Sequence, residues 1–461
     1  MATRDPDTFL SGVIEGFYGS PWSQAERFEL FDWMAAWGLN TYLYAPKDDL
    51  KHRALWRELY SASETENLAS LIKACRQRNL RFIYALSPGL DIRYTDKAEL
   101  TQIQRRFEQL LALGCEHFAL LFDDIPDDLD SADIKQFGSL AGAQCHVANT
   151  ALKFIRDRSP TARVLFCPTA YCGRMAQRQL GGKDYLATLG RELATEIDIF
   201  WTGPEIISRE ISVTHVREVE AVLCRKPLIW DNLHANDYDG RRFFCGPYSG
   251  RPPELREHVS GLLINPNTEF SLNYAPLRTL GEFVKGRGTW DPREAYLAAI
   301  REWLPRFATI GQPISCEDLI LFGDCYYLPH EEGPEANALY ELAKGLALDC
   351  RPSTLDNTMA FLERAARLRS FCARMTELRD RSLFSALSRR VWELREELDL
   401  LEQFIRFKSE GKGGAFRSDS HLPGTYRGGM VARLQRLFVQ QPDGAFAPEG
   451  RLAELAPPTT L

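Results

Sequence analysis

One pattern recurs from about residue 11 to about residue 288: a short apolar run, a polar or glycine-containing loop, then a stretch of helical period. The apolar runs fall at 11–15, 41–44, 81–85, 117–122, 163–167, 198–201, 227–231 and 261–265. Helical patterns lie between them at 24–37, 64–78, 97–114, 130–159 and 213–224. Eight alternating units with almost uninterrupted apolar strands predict a parallel (β/α)8 barrel, because a strand is apolar at successive positions when both of its faces are covered. An open doubly wound sheet is the competing arrangement. No Gly-x-Gly-x-x-Gly follows the first strand, which counts against its dinucleotide-binding form.

After Trp290-Asp291-Pro292 the alternation stops and the pattern becomes helical. Pro292 suits a first helical turn with Asp291 as N-cap, opening a helix over 293–307. Further helices are predicted at 333–348, 355–378 and 382–407, where apolar residues recur at three- and four-residue spacing. In the last, Val391, Leu394, Leu398, Leu401 and Phe404 form a stripe suited to a bundle core or a second subunit. Ser409 to Gly429 is rich in glycine and reads as a loop before a short helix at 430–439. The expected organisation is an N-terminal tail over 1–10, a TIM barrel over 11–288, an all-α helical bundle over 289–440 and a disordered tail over 441–461.

A formal net charge of -7 argues against an electrostatic nucleic-acid or membrane binder. The first residues are polar, no apolar run of signal-peptide length follows, and no stretch approaches a membrane span. A soluble, cytoplasmic protein is the expectation. The 11 cysteines are odd in number and lack metal-ligand spacing, so they read as reduced core residues.

Barrel enzymes carry their chemistry at the C-terminal ends of the strands. There the chain places Glu15-Gly16-Phe17-Tyr18, Pro46-Lys47-Asp48-Asp49, Asp123-Asp124, Cys167-Pro168-Thr169-Ala170-Tyr171, Trp201, Trp230-Asp231-Asn232 continuing to Asp237, and Asn265-Pro266-Asn267. Carboxylates (Asp123, Asp124, Asp237), amides (Asn232, Asn265) and aromatics (Tyr18, Tyr171, Trp201, Trp230) are the usual set for a sugar, whose hydroxyls take hydrogen bonds and whose C–H faces lie on rings. Neither a phosphate cradle nor a His-x-His or His-Glu-x-x-His metal motif occurs, so no metal and no cofactor are expected.

Neighbouring residues of a strand point to opposite faces, so Asp123 and Asp124 can serve one pocket only where the strand gives way to a loop. A solvated acidic turn before a helix start is the plainer reading of that pair. Two adjacent carboxylates suit neither the inverting arrangement, with a water between the groups, nor the usual retaining pair across a sugar ring. They suit a substrate that supplies its own nucleophile, a 2-acetamido oxygen that attacks the anomeric carbon to form an oxazoline. One aspartate then holds the amide N–H while the other protonates the leaving oxygen and later activates water. Like-charge proximity raises one pKa of such a pair, and spacing does not say which.

Gly12-Val13-Ile14-Glu15-Gly16-Phe17-Tyr18-Gly19, Asn40 through Asp49, Leu120-Leu121-Phe122-Asp123-Asp124-Ile125, and Trp230-Asp231-Asn232 to Asn236-Asp237-Tyr238 closely resemble the catalytic domain of the O-GlcNAcase family of β-N-acetylglucosaminidases, which are glycoside hydrolases. The resemblance implies a (β/α)8 barrel that removes N-acetylglucosamine from serine or threonine with retention, through the oxazoline. It implies that Asp123 orients the acetamido group and Asp124 is the general acid/base. Gly16 (through its carbonyl), Lys47, Asn232, Asp237 and Asn265 match residues that hold sugar hydroxyls; Tyr171, Cys167 and Trp230 match positions around the N-acetyl group. Arg174-Met175 departs from the family pattern on the aglycone side. The helical region resembles the family's stalk domain more weakly, and a homodimer through it is an expectation. The implied partners are GlcNAc-modified proteins, with no nucleic acid and no membrane. The competing functions are a hexosaminidase acting on free or glycan-linked N-acetylhexosamine, and a non-catalytic GlcNAc-binding module.

Overall fold

The structure, a computed structural model, describes residues 9–286, 288–348, 355–410, 414–418, 428–441 and 444–448. Eight parallel strands, β1 (Leu10–Glu15), β2 (Thr41–Tyr44), β3 (Arg81–Leu86), β4 (His117–Leu121), β5 (Val164–Cys167), β6 (Ile197–Trp201), β7 (Leu228–Asp231) and β8 (Gly261–Ile264), close into a barrel. Each pairs with the next, and β8 returns to β1 with Leu10 opposite Gly261. Ile14, Leu43, Ile83, Ala119, Leu165, Phe200 and Leu263 point inward and form one buried cluster. Because the helices cover the other face, the strands are apolar at most positions, as the alternation requires.

Local signals start and stop the helices. Ser23 caps Gln24–Trp37 in a reciprocal capping box with Glu26, and Gly38 ends that helix in the left-handed region, where a side chain would be strained. The helical pattern at 130–159 is two helices, Ser131–Phe137 and Leu140–Arg156. Gly138 at φ 73 stops the first, and Ser139 caps the second. Between β7 and β8 the chain forms no α-helix, only the 3-10 turn Pro253–Glu257.

The chain divides into two compact units. The first holds the barrel: residues up to Asp237, with Tyr248–Phe270 and Leu277–Pro292. The second takes Tyr238–Pro247, Ser271–Pro276 and the chain from Arg293. Tyr238–Pro247 belongs with the helices because Cys245 and Gly246 donate backbone hydrogen bonds to the carbonyls of Tyr326 and Tyr327 (2.9 and 2.7 Å).

In the second unit the pattern at 293–307 is the helix Pro292–Trp303 followed by a 3-10 turn, Leu304–Phe307, with Pro305 inside it. A helix at Cys316–Asp324, capped by Ser315, has no counterpart in the sequence reading. Val391, Leu394, Leu398, Leu401 and Phe404 are buried inside this unit, so their stripe offers no surface to a second copy. The final helix is shorter than its pattern, Gly429–Gln435, and Phe438–Gln440 follows as a strand. Phe446–Pro448 pairs with it, so the start of the stretch expected to be disordered is folded, with Phe446 buried beside Phe416. The expected N-terminal tail through residue 8, much of the glycine-rich 409–429 stretch and the tail from 449 onward lie outside the described residues.

Glu397, on the helix Arg381–Ser409, is buried and accepts one hydrogen bond from Gln435 Nε2 (2.7 Å). Burial pushes its carboxyl up to about 7, against the help of that hydrogen bond and with Glu396 and Glu393 adding to the rise. The folded pKa lies above the ordinary value, so the stabilising contribution is complete below pH 4.5 and is lost as pH rises through 7. Wild type is therefore expected to lose about 2 kcal/mol at this site between pH 5 and 8. Glu397→Gln, melted at both pH values, should match wild type at pH 5 and exceed it at pH 8; equal melting temperatures at pH 8 would show that Glu397 carries no such penalty.

Candidate active site

The C-terminal ends of the strands converge on one polar network. β1 ends in Glu15, which is fully buried and accepts from Arg27 Nε and Nη2 (2.8 and 2.7 Å), the Trp22 amide (3.0 Å) and the Tyr42 hydroxyl. Glu15 is thus an anchor for the turn that carries Gly16 and Tyr18. At Gly16 an added Cβ would come within 2.6 Å of the Trp230 ring, so glycine is required there by space.

β4 ends at Leu121, and the chain has left the strand by Asp123. Asp124 has φ 51, one of the few positive values outside glycine among the described residues. This conformation costs on the order of 1 kcal/mol, and aspartate tolerates it better than most residues. The break from strand geometry lets both carboxylates join the same network, which regular alternation would forbid.

Asp123 is buried, and its Oδ2 accepts from the ammonium of Lys47, itself buried at the end of β2. Burial alone would raise the Asp123 carboxyl, but the Lys47 charge and hydrogen bond, with Arg53 adding to them, hold it below the ordinary carboxylate value. Its Oδ1 is buried and has no hydrogen-bond partner among the described residues. An unsatisfied buried acceptor is costly, and such groups are common where a ligand completes them. Asn265 Oδ1 is a second one.

Asp124 is held differently. Its Oδ2 accepts from the Tyr18 hydroxyl (3.0 Å) and its Oδ1 from the Tyr171 hydroxyl (2.8 Å). Burial first, then the Asp124 charge, pushes both phenols up, so they remain donors at neutral pH. The Tyr18 amide donates to Asp237 Oδ2 (3.0 Å), which ties the loop after β7 to the β1 turn. Trp230 Nε1 and Asn265 Nδ2 both donate to Asn232 Oδ1 (3.0 Å each), and the Lys47 ammonium lies 5.8 Å from the centre of the Trp230 ring. Beneath them Asp231 is clasped by Arg251 through two bonds of 2.7 Å and by the Tyr248 hydroxyl (2.9 Å), all fully buried. That clasp fixes the strand between Trp230 and Asn232. Cys167 is buried near Asp123, and burial and then that charge push its thiol up.

Gly16, Tyr18, Lys47, Asp123, Asp124, Cys167, Tyr171, Trp230, Asn232, Asp237 and Asn265 therefore meet at one end of the barrel. Trp201 does not join them: its indole N–H donates to His215 Nε2 (2.9 Å), and the ring is buried. On the rim, Arg174 is paired with Glu205 (3.0 Å), and Met175 packs on the barrel cluster. A recess of about 520 Å³ lined by residues such as Asn40, Arg76, Arg81 and His117 lies at the other ends of β2 to β4, away from this network.

Three contributors are not singled out by the sequence. Arg53 is buried and donates to the Asp124 carbonyl. Asp48 accepts from the Gly19 amide (2.9 Å). His52 is buried, bonded to the Ala85 carbonyl (2.8 Å), and burial followed by the Lys47 charge pushes it down to about 4. Lys47-Asp48-Asp49-Leu50-Lys51-His52-Arg53 reads locally as a charged surface turn, with no signal to separate these residues from their neighbours.

A family model described as beta-N-acetylglucosaminidase matches residues 11–309. The chain belongs to this family of glycoside hydrolases. Within it, the chain is 47% identical over 277 residues to the proteins named Protein O-GlcNAcase from Rattus norvegicus and Mus musculus. The match covers 60% of this chain and 30% of each relative, so the chain spans less than a third of the length of these relatives. A mutant of the Thermobaculum terrenum O-GlcNAc hydrolase is similar in structure, with a TM-score of 0.77 and 30% identity, over 87% of this chain and 85% of that one. For this β-N-acetylglucosaminidase family member the barrel and its strand-end network are the parts on which chemistry must be argued.

Proposed function

We propose that the chain is a retaining β-N-acetylglucosaminidase that removes O-linked N-acetylglucosamine from serine or threonine of proteins by substrate-assisted catalysis. The observation that carries the reading is the pairing of two unlike aspartates: Asp123, charged by Lys47 and holding one unspent acceptor, beside Asp124, cradled by two phenols. The acetamido carbonyl oxygen attacks the anomeric carbon as the bond from that carbon to the serine or threonine oxygen breaks. Asp123 Oδ1 accepts the amide N–H and stabilises the positive charge that develops there. Asp124 gives its proton to the departing oxygen, then takes one from the water that opens the oxazoline at the same face. Two displacements return the original β configuration. Lys47, Asn232, Asp237, Asn265 and the Gly16 carbonyl hold the hydroxyls, while Cys167, Tyr171 and Trp230 wall the N-acetyl group.

No helix of the described residues is long and apolar enough to cross a membrane. With ten free cysteines among those residues, this supports a reducing, cytoplasmic setting. A homodimer through the helical unit is part of the proposal on resemblance alone, and a monomer by size exclusion with light scattering would remove it.

The test compares a β-GlcNAc-serine peptide with the corresponding β-glucosyl peptide, following the first-formed sugar by NMR. Turnover of the GlcNAc peptide to the β-anomer, with the glucosyl peptide at least about 10³-fold slower, is expected. Comparable turnover of both, or an α-anomer first, would reject the mechanism. Turnover of aryl or glycan-linked N-acetylhexosamine but not of the peptide would favour the hexosaminidase reading.

A further inference from the structure

We propose that Arg53 is a positioning residue for proton transfer, acting on the backbone of Asp124 and on the tyrosine that holds its carboxylate. The inference rests on the reading of Asp124 as general acid/base. Its starting point is that Asp124 faces the network from the left-handed conformation described above, which the surrounding structure has to maintain.

Arg53 is placed to do this from two sides. Its Nη2 donates to the Asp124 carbonyl oxygen (2.6 Å), a short charge-assisted bond to the main chain of the residue held at φ 51. Its guanidinium carbon also lies 5.8 Å from the centre of the Tyr18 ring, and the Tyr18 hydroxyl binds Asp124 Oδ2. One planar cation thereby braces both the main chain of the acid and one of the two phenols on its carboxylate. Arg53 is itself held in place. The turn before it is closed by the His52 amide on the Asp49 carbonyl (2.9 Å) and the Arg53 amide on the Leu50 carbonyl (3.3 Å). It is tied to the end of β3 by His52 Nδ1 on the Ala85 carbonyl and by the Ser87 amide on the His52 carbonyl (3.0 Å). Tyr171 holds the other oxygen of Asp124 without help from Arg53, so loss of Arg53 should misplace the acid and not abolish it.

A misplaced acid slows glycosidic cleavage only where the leaving oxygen needs a proton, whereas oxazoline opening is common to every substrate, so kcat/KM, which reports cleavage, is the quantity read across the series. The test therefore uses aryl N-acetyl-β-glucosaminides whose phenols run from dinitrophenol, which leaves without assistance, to unsubstituted phenol, which does not. Wild type, Arg53→Gln, Arg53→Lys and Asp124→Ala are compared by kcat and KM on each. Asp124→Ala is expected to lose about 10³-fold on the phenyl glycoside and less than about 10-fold on the dinitrophenyl one. Arg53→Gln should show the same slope at lower amplitude, about 10- to 100-fold against less than about 3-fold, with the loss in kcat and KM nearly unchanged. Arg53→Lys, which keeps the charge but not the fork, should fall between it and wild type, and it decides the matter if the glutamine variant does not fold. An equal loss across the series in the Arg53 variants, or none, overturns the proposal while leaving Asp124 in its role. A flat series for Asp124→Ala removes the acid assignment and the Arg53 role together.

Discussion

Asp124→Asn is expected to lose about 10²-fold in kcat on 4-nitrophenyl N-acetyl-β-glucosaminide, between the dinitrophenyl and phenyl cases, with little change in KM. The asparagine keeps the shape of the side chain and can accept from Tyr18 or Tyr171, so binding should survive. It has no proton to give, so the transition state loses its acid while the ground state loses almost nothing. The same assay with substrates whose acetamido methyl is progressively fluorinated isolates the nucleophile. Fluorine withdraws electron density from the carbonyl oxygen, and the wild-type rate should fall steeply with each substitution. A rate insensitive to fluorine would mean that the amide does not attack. Saturable binding without turnover in wild type would instead turn the network into a sugar-binding site.

The second large effect is expected at Asp123, where one substitution should damage catalysis and folding for separable reasons. On the proposed mechanism Asp123→Asn removes the charge that opposes the developing cation, and about 10²-fold or more in kcat is expected to go with it. It also leaves the Lys47 ammonium buried without its counter-ion, which costs about 3 kcal/mol of stability. The pH dependence fixes the sign. The folded carboxyl of Asp123 lies below its ordinary value of 3.8, so the stabilisation it brings is present above that value and is lost as pH falls through the lower, folded one. Wild type and Asp123→Asn should therefore differ most in melting temperature near neutrality and converge in acid. Adding Lys47→Met to the variant removes the stranded charge and should recover much of the stability but none of the activity. Recovery of both, or of neither, would show that the ion pair is not what links the two effects.

How far the site could be read from the chain depended on the range of each signal. The barrel was legible because its cause is local and repeated: each apolar run is a strand covered on both faces, and each cap, such as Ser23 with Glu26 or Gly38, lies within a few residues of what it caps. Helix interruption was less legible. The pattern across 130–159 is continuous in period, and Gly138 at φ 73 with the Ser139 cap after it breaks it. The short ribbon of Phe446–Pro448 was missed because a proline-rich tail gives no period, whereas burial of Phe446 against Phe416 is a contact between distant residues.

The sequence by itself determined the parallel barrel, the helical unit after it and the set of polar and aromatic residues at the strand ends, because strand periodicity and position after a strand are properties of consecutive residues. Only the tertiary structure shows what each carboxylate touches. Lys47 reaches Asp123 across 76 positions, Tyr18 and Tyr171 reach Asp124 across 106 and 47, and Arg53 reaches its carbonyl across 71. Charge state and orientation at a site depend on distance in space, which falls off over a few ångströms, and a closed barrel brings together groups that the chain keeps far apart.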